Sequence, residues 1–95
     1  MTVLVGRLTM DIGVDISLYP LKAQYAPDIH RFIERVTADR RLRVVTNSMS
    51  TQVFGGFEEV MDTLRQALHA TLEPLGAGPE RAVFVVKVFG PLPAA

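Results

Sequence analysis

The sequence predicts an α+β fold of order β-α-β-β-α-β, and three observations carry that expectation. Two segments space their apolar residues helically, four show the alternation or β-branching of strands, and proline and paired glycine fall between them.

The first strand covers residues 12–19. Ile12, Val14, Ile16 and Leu18 fall on one face, and Gly13, Asp15, Ser17 and Tyr19 fall on the other. Pro20 is expected to end it, because proline has no N–H with which to continue a ladder. A helix follows the connection over 21–26. Pro27 suits its first turn, Asp28 complements the positive end of the dipole, and Tyr25, Ile29, Phe32, Ile33 and Val36 form an apolar stripe. After a charged turn at Asp39 to Arg41, residues 42–46 and 49–54 read as a hairpin around Asn47-Ser48. Gly55-Gly56 breaks the second of these strands. Glu58 and Glu59 then mark a helix N-terminus, and Val60, Met61, Leu64, Leu68 and Leu72 keep the helical period to about Glu73. Pro74, Gly76, Gly78 and Pro79 make a loop, residues 82–89 form a last strand interrupted by Lys87 alone, and 91–95 is expected to be loose.

The simplest packing of this order is a ferredoxin-like sandwich, a four-stranded antiparallel sheet with both helices on one face. The expectation is one domain over 1–95, well patterned from about 10 to 90, with Met1 or Met10 as the natural start. In the last strand Phe84, Val86 and Val88 are expected to meet the helices. Val83, Val85 and Phe89 then lie on the open sheet face, where a second subunit stacked sheet to sheet would cover them.

Composition limits function. The chain has 95 residues, room for one core, and its 48% apolar content exceeds what one small monomer buries, which suggests a dimer or tetramer. Ten basic and ten acidic residues cancel, so the broad positive field that attracts nucleic acid is missing. The absence of Cys removes disulfides, thiolate metal sites and thiol catalysis. No apolar run approaches the roughly 20 residues of a membrane span, and residues 1–10 lack a secretory pattern, so a cytoplasmic protein is expected.

Polar residues mark the candidate site. Asp15, Ser17 and Tyr19 on the first strand and Asn47, Ser50 and Gln52 around the hairpin either line a shared pocket or pair across strands and face solvent. Tyr19 and Phe54 either stack on a bound ring or pack at strand ends. Lys87 either snorkels to solvent or pairs with Asp15. His30 and His69 stand one on each helix without an i, i+4 partner, so no metal site is expected. The hydroxyls of Thr46-Asn47-Ser48-Met49-Ser50-Thr51 have no histidine expected near them as a base, and no Gly-rich phosphate loop occurs, so no enzyme is expected.

Two stretches, Ile16-Ser17-Leu18-Tyr19-Pro20-Leu21 and Thr46-Asn47-Ser48-Met49-Ser50-Thr51-Gln52-Val53-Phe54-Gly55, resemble the YkoF-like family of thiamine and hydroxymethylpyrimidine-binding proteins. The first is similar to that family's Ser-Leu-Tyr-Pro signature and the second to its Thr-Asp-x-x-Ser-Thr-Val-x-x-Gly signature. Asn47 stands where the pattern has Asp, and Gln52 replaces a small apolar residue. The resemblance implies a ferredoxin-like domain whose sheets associate, with the ligand near the sheet face and subunit boundary and no catalytic role. It also implies ligand-binding roles for Ser17, Tyr19, Asn47, Ser50, Thr51 and Phe54, to which the polar pattern of the first strand adds Asp15. An aminopyrimidine offers acceptors and an amine donor that Ser, Asn or Gln can read, and Asp15 or an aromatic face could meet a thiazolium cation. The alternative is a structural or regulatory interaction module whose open face serves oligomerisation.

Overall fold

A computed structural model describes residues 10–93; Met1 as a start, the rest of residues 1–9 and the last two residues of the tail lie outside them. The elements are β1 (Asp11–Leu21), α1 (Ala26–Thr37), β2 (Arg43–Thr46), β3 (Thr51–Gly56), α2 (Phe57–Leu72), a 3₁₀ turn (Glu73–Ala77) and β4 (Arg81–Phe89). The strands form one sheet of order β2-β3-β1-β4, antiparallel at every pairing. This is the expected ferredoxin-like arrangement.

Alternation in β1 does what its period requires: Ile12, Val14, Ile16 and Leu18 are buried under the helices, each burial contributing about 1.5–3 kcal/mol. Val53 faces the same way opposite Val14, and so does Thr51 opposite Ile16. Phe32 and Val36 of α1 and Val60, Leu64 and Ala67 of α2 close the core, with the Phe32 and Phe84 rings 5.2 Å apart. Gly56 passes the chain from β3 into α2 without a loop. A Cβ there would meet the Glu59 carboxylate, and one at Gly55 would come 2.7 Å from Leu42 Cδ2, in both cases the far end of a side chain that can turn away.

Four local expectations are corrected. Pro20 does not end β1, which runs on to Leu21 paired only with β4; the β3 ladder stops at Ile16, and a strand with one neighbour tolerates a residue lacking N–H. Tyr25 precedes α1 and is exposed, outside the stripe. Met49 is 83% exposed in the hairpin loop, because β3 starts only at Thr51. Val86 and Val88 share the inward parity of Ile16 and Val14, yet both are exposed, because the helix layer does not extend over that half of β4.

Two ion clusters brace the connections. Asp28, buried in the first turn of α1, takes Lys22 at 3.1 Å and Arg31 one turn on. Asp39, just past α1, takes the Arg41 guanidinium in two bonds of 3.0 and 2.7 Å, the Arg41 backbone N–H, and the Thr63 hydroxyl of α2.

Candidate functional site

Strand lengths create the site. β1 pairs with β3 only as far as Ile16, so its residues 17–21 extend past the start of β3 with no ladder partner on that side. The hairpin loop, residues 47–50, arches beside this overhang, and Ile29, Phe32 and Ile33 of α1 lie beneath it. Together they enclose a cleft of about 260 Å³ reached from the end of the sheet, lined also by Ser17, Tyr19, Asn47, Ser50 and Thr51. That volume lies just below the roughly 300–1,000 Å³ of small-molecule sites and suits one heterocyclic ring.

At its rim stands a hydrogen-bonded network built on the open face. Asp15 and Gln52 are directly paired across β1 and β3. The Gln52 amide donates to the Asp15 carboxylate at 2.9 Å and to Ser50 Oγ at 2.7 Å, while Ser50 Oγ donates to the same carboxylate. Asn47 adds a donor to Gln52 Oε1 at 3.3 Å. Its own side-chain oxygen accepts the backbone N–H groups of Met49 and Ser50 at 2.9 and 3.1 Å, an Asx turn that shapes the loop. Bonds from Gln52 and then Ser50 hold the Asp15 carboxyl below its ordinary range against a smaller desolvation effect, and Lys87, its register partner on β4, adds to this. The carboxylate is therefore ionised, with neutral side chains as its direct hydrogen-bond partners.

Of the seven residues singled out from sequence, five line the cleft: Ser17, Tyr19, Asn47, Ser50 and Thr51. Thr51 enters from the helix side, buried, its hydroxyl 3.2 Å from that of Thr46. Asp15 joins through Ser50 rather than by lining the cleft. Phe54 stands apart. It lies four residues along the strand from Ser50, roughly 13 Å at strand rise, and its ring already has the Arg43 guanidinium 4.1 Å from its centroid and Phe89 edge-on at 6.3 Å. Two aromatic groups line the cleft, the buried Phe32 in its floor and Tyr19, 53% exposed, at its edge.

Two contributions are less visible in the sequence. Gln52, grouped from the sequence with the polar residues around the hairpin but not among the seven ligand-binding residues, is the hub of the network. The apolar floor of Ile29, Phe32 and Ile33 reads in sequence as ordinary helix stripe, since nothing in the pattern shows that the sheet above it stops short. Among the described residues, no three His, Asp or Glu side chains gather as a metal set, and no helix is long and apolar enough to cross a membrane.

No protein-family model matches the sequence, and no curated relative does. Solved structures do resemble it. A hypothetical protein of Methanocaldococcus jannascii is 23% identical, with 85% of this chain and 80% of that one covered at a TM-score of 0.69. A putative thiamine biosynthesis/salvage protein of Thermotoga maritima is 21% identical over 82% of this chain and 81% of its own, at 0.70. A Streptococcus pneumoniae protein is 19% identical over 85% and 87%, at 0.75. At these identities the likeness is one of fold.

Proposed function

We propose that the protein binds thiamine or its hydroxymethylpyrimidine moiety reversibly, as a carrier, buffer or component of uptake or salvage, and does no covalent chemistry on it. The observation that carries this reading is the coupling of a one-ring cleft to an ionised, neutrally partnered carboxylate at its rim. An aminopyrimidine entering the cleft meets Ser17, Asn47 and Ser50 as donors and acceptors, the Ile29, Phe32 and Ile33 floor, and the Tyr19 ring at the edge. The cationic thiazolium of thiamine remains at the mouth, on the side of Asp15. The name of the Thermotoga neighbour agrees with this ligand class. The binding-only view is supported by the placement of both histidines: His30 is exposed on α1, and His69 is exposed on α2 facing Glu73 at 3.1 Å, neither of them lining the cleft.

Calorimetric titration with thiamine, hydroxymethylpyrimidine and thiamine phosphate tests the reading. The expected result is saturable binding of the first two, with ligand recovered chemically intact by mass spectrometry. Absence of heat with all three rejects the ligand class, and turnover rejects the binding-only view. The second reading, an interaction module, is favoured by one observation: Val83, Val85 and Phe89 leave the open face apolar beside the polar network.

A further inference from the structure

The hairpin loop beside the cleft is fixed in its main chain and loose in one side chain. Asn47 Oδ1 accepts the N–H groups of Met49 and Ser50, and the Asn47 N–H donates to the Ser50 carbonyl at 3.1 Å, so the turn is tied at both ends. Ser50 is tied again through its hydroxyl to Asp15. The Met49 side chain has no such anchor. It lines the cleft, and at 83% it is the most exposed large apolar side chain among the described residues, flanked by Ser48 and Ser50. A planar ring in the cleft has two faces. The floor of Ile29, Phe32 and Ile33 covers one of them, and Met49 is the apolar residue that the loop brings to the other side.

We propose that Met49 is the closing wall of the cleft: as a heterocycle enters, its thioether turns from solvent onto the ring face opposite the Ile29, Phe32 and Ile33 floor, and the ring is held between the two. The role rests on the ligand reading above and deepens it. Methionine is suited to such a wall, being unbranched, flexible and polarisable, and its sulfur makes favourable contacts with aromatic rings at about 5 Å. Closure takes both the thioether and the outer ring face out of water. Its cost in order is small, because Asn47 and Ser50 already hold the loop and a single side chain remains to be fixed. A contact made through the ring does not depend on charge. Met49 therefore acts alike on thiamine and on hydroxymethylpyrimidine, which share the pyrimidine, whereas Asp15 acts on the thiazolium alone. Met49 is thus a positioning residue for the ring, distinct from the polar groups that read its edge.

Methyl spectroscopy of the full chain, labelled at its four methionines, decides it, with the Met49 signal identified by its loss in Met49→Leu. Titration with hydroxymethylpyrimidine, and separately with thiamine, is expected to move the Met49 methyl upfield through the ring current and to saturate with the calorimetric curve. The Met61 methyl, packed against the core, should hold its place. Met49→Ala is expected to weaken both ligands by roughly three- to tenfold with Tm unchanged, and Met49→Leu, similar in volume, to stay close to wild type. Saturable heat with a Met49 methyl that does not move, or with full affinity in Met49→Ala, overturns the closing wall and leaves the ligand reading standing. No heat with either ligand overturns both. A Met49 signal that responds to protein concentration and not to ligand assigns the side chain to a contact between copies, and overturns the wall as well.

Discussion

Asp15 and Asp39 are both carboxylates held below their ordinary range, both accept a hydroxyl from a segment far away in sequence, and they serve opposite ends. Asp39 is engaged first by the Arg41 guanidinium, then by Thr63 and the Arg41 N–H, so its charge is neutralised on the spot. It latches the exit of α1 to α2. Asp15 has Gln52 and Ser50, which stabilise its charge without cancelling it, and Lys87 acts only through the field. A carboxylate with a cation in contact is a finished structural joint. One kept ionised by neutral donors beside a cleft can still attract a cation.

The largest effect that would break this comparison is on stability. Asp39→Ala strips acceptors from Arg41 and Thr63 and should cost about 1–3 kcal/mol, which for a domain this size lowers Tm by roughly 4–8 °C per kcal/mol. Thiamine affinity measured below the new Tm should stay at the wild-type value. Equal stability of Asp39→Ala and wild type would show that the latch is ornamental.

Asp15→Asn is the matched change. It keeps an oxygen to accept from Gln52 and Ser50 but removes the charge, so Tm should stay close to that of wild type. Thiamine affinity should weaken by roughly five- to tenfold, as for a partly screened charge pair, and uncharged hydroxymethylpyrimidine should bind as before. A parallel loss for both ligands would assign Asp15 to holding the loop instead of meeting the cation.

Acid gives the smallest and finest distinction. Both carboxyls are depressed in the folded protein, so their contributions are present above the ordinary value of about 3.9 and disappear as pH falls through the lowered folded values. Asp39 is displaced more strongly. Thiamine affinity should therefore be flat with respect to Asp15 between about pH 5 and 8, then decline in acid before the stability difference between wild type and Asp39→Ala disappears. Titrations and melts over one pH series compare the two; latch loss ahead of affinity loss would invert the assignment.

Much of this is legible in sequence, for physical reasons that differ by residue. Alternation from Ile12 to Leu18 fixes which face of β1 is buried, because a side-chain period of two leaves no other choice, and it places Asp15, Ser17 and Tyr19 together on the outer face. The helix stripes through Phe32, Val36, Val60 and Leu64 work in the same way. Parity does not tell where a covering layer ends, which is why the pattern puts Val86 and Val88 under the helices while the fold leaves them exposed. Neither does it tell where one strand outruns its neighbour, so the cleft beside residues 17–21 has no signature. Phe54 shows the converse: its face is that of Asp15, but distance along the strand and the Arg43 stack keep it from the cleft. The Asp15 to Ser50 bond spans 35 residues of sequence, a contact that only the β1–β3 register creates.

Amide chemical-shift mapping during a thiamine titration tests the central claim most directly. Thiamine should move the signals of residues 17–19 and 47–52 together with Asp15, in one saturable transition, and leave those around Asp39, Arg41 and Thr63 in place. Shifts centred on Asp39 and α2, or none at saturating thiamine, would contradict the account.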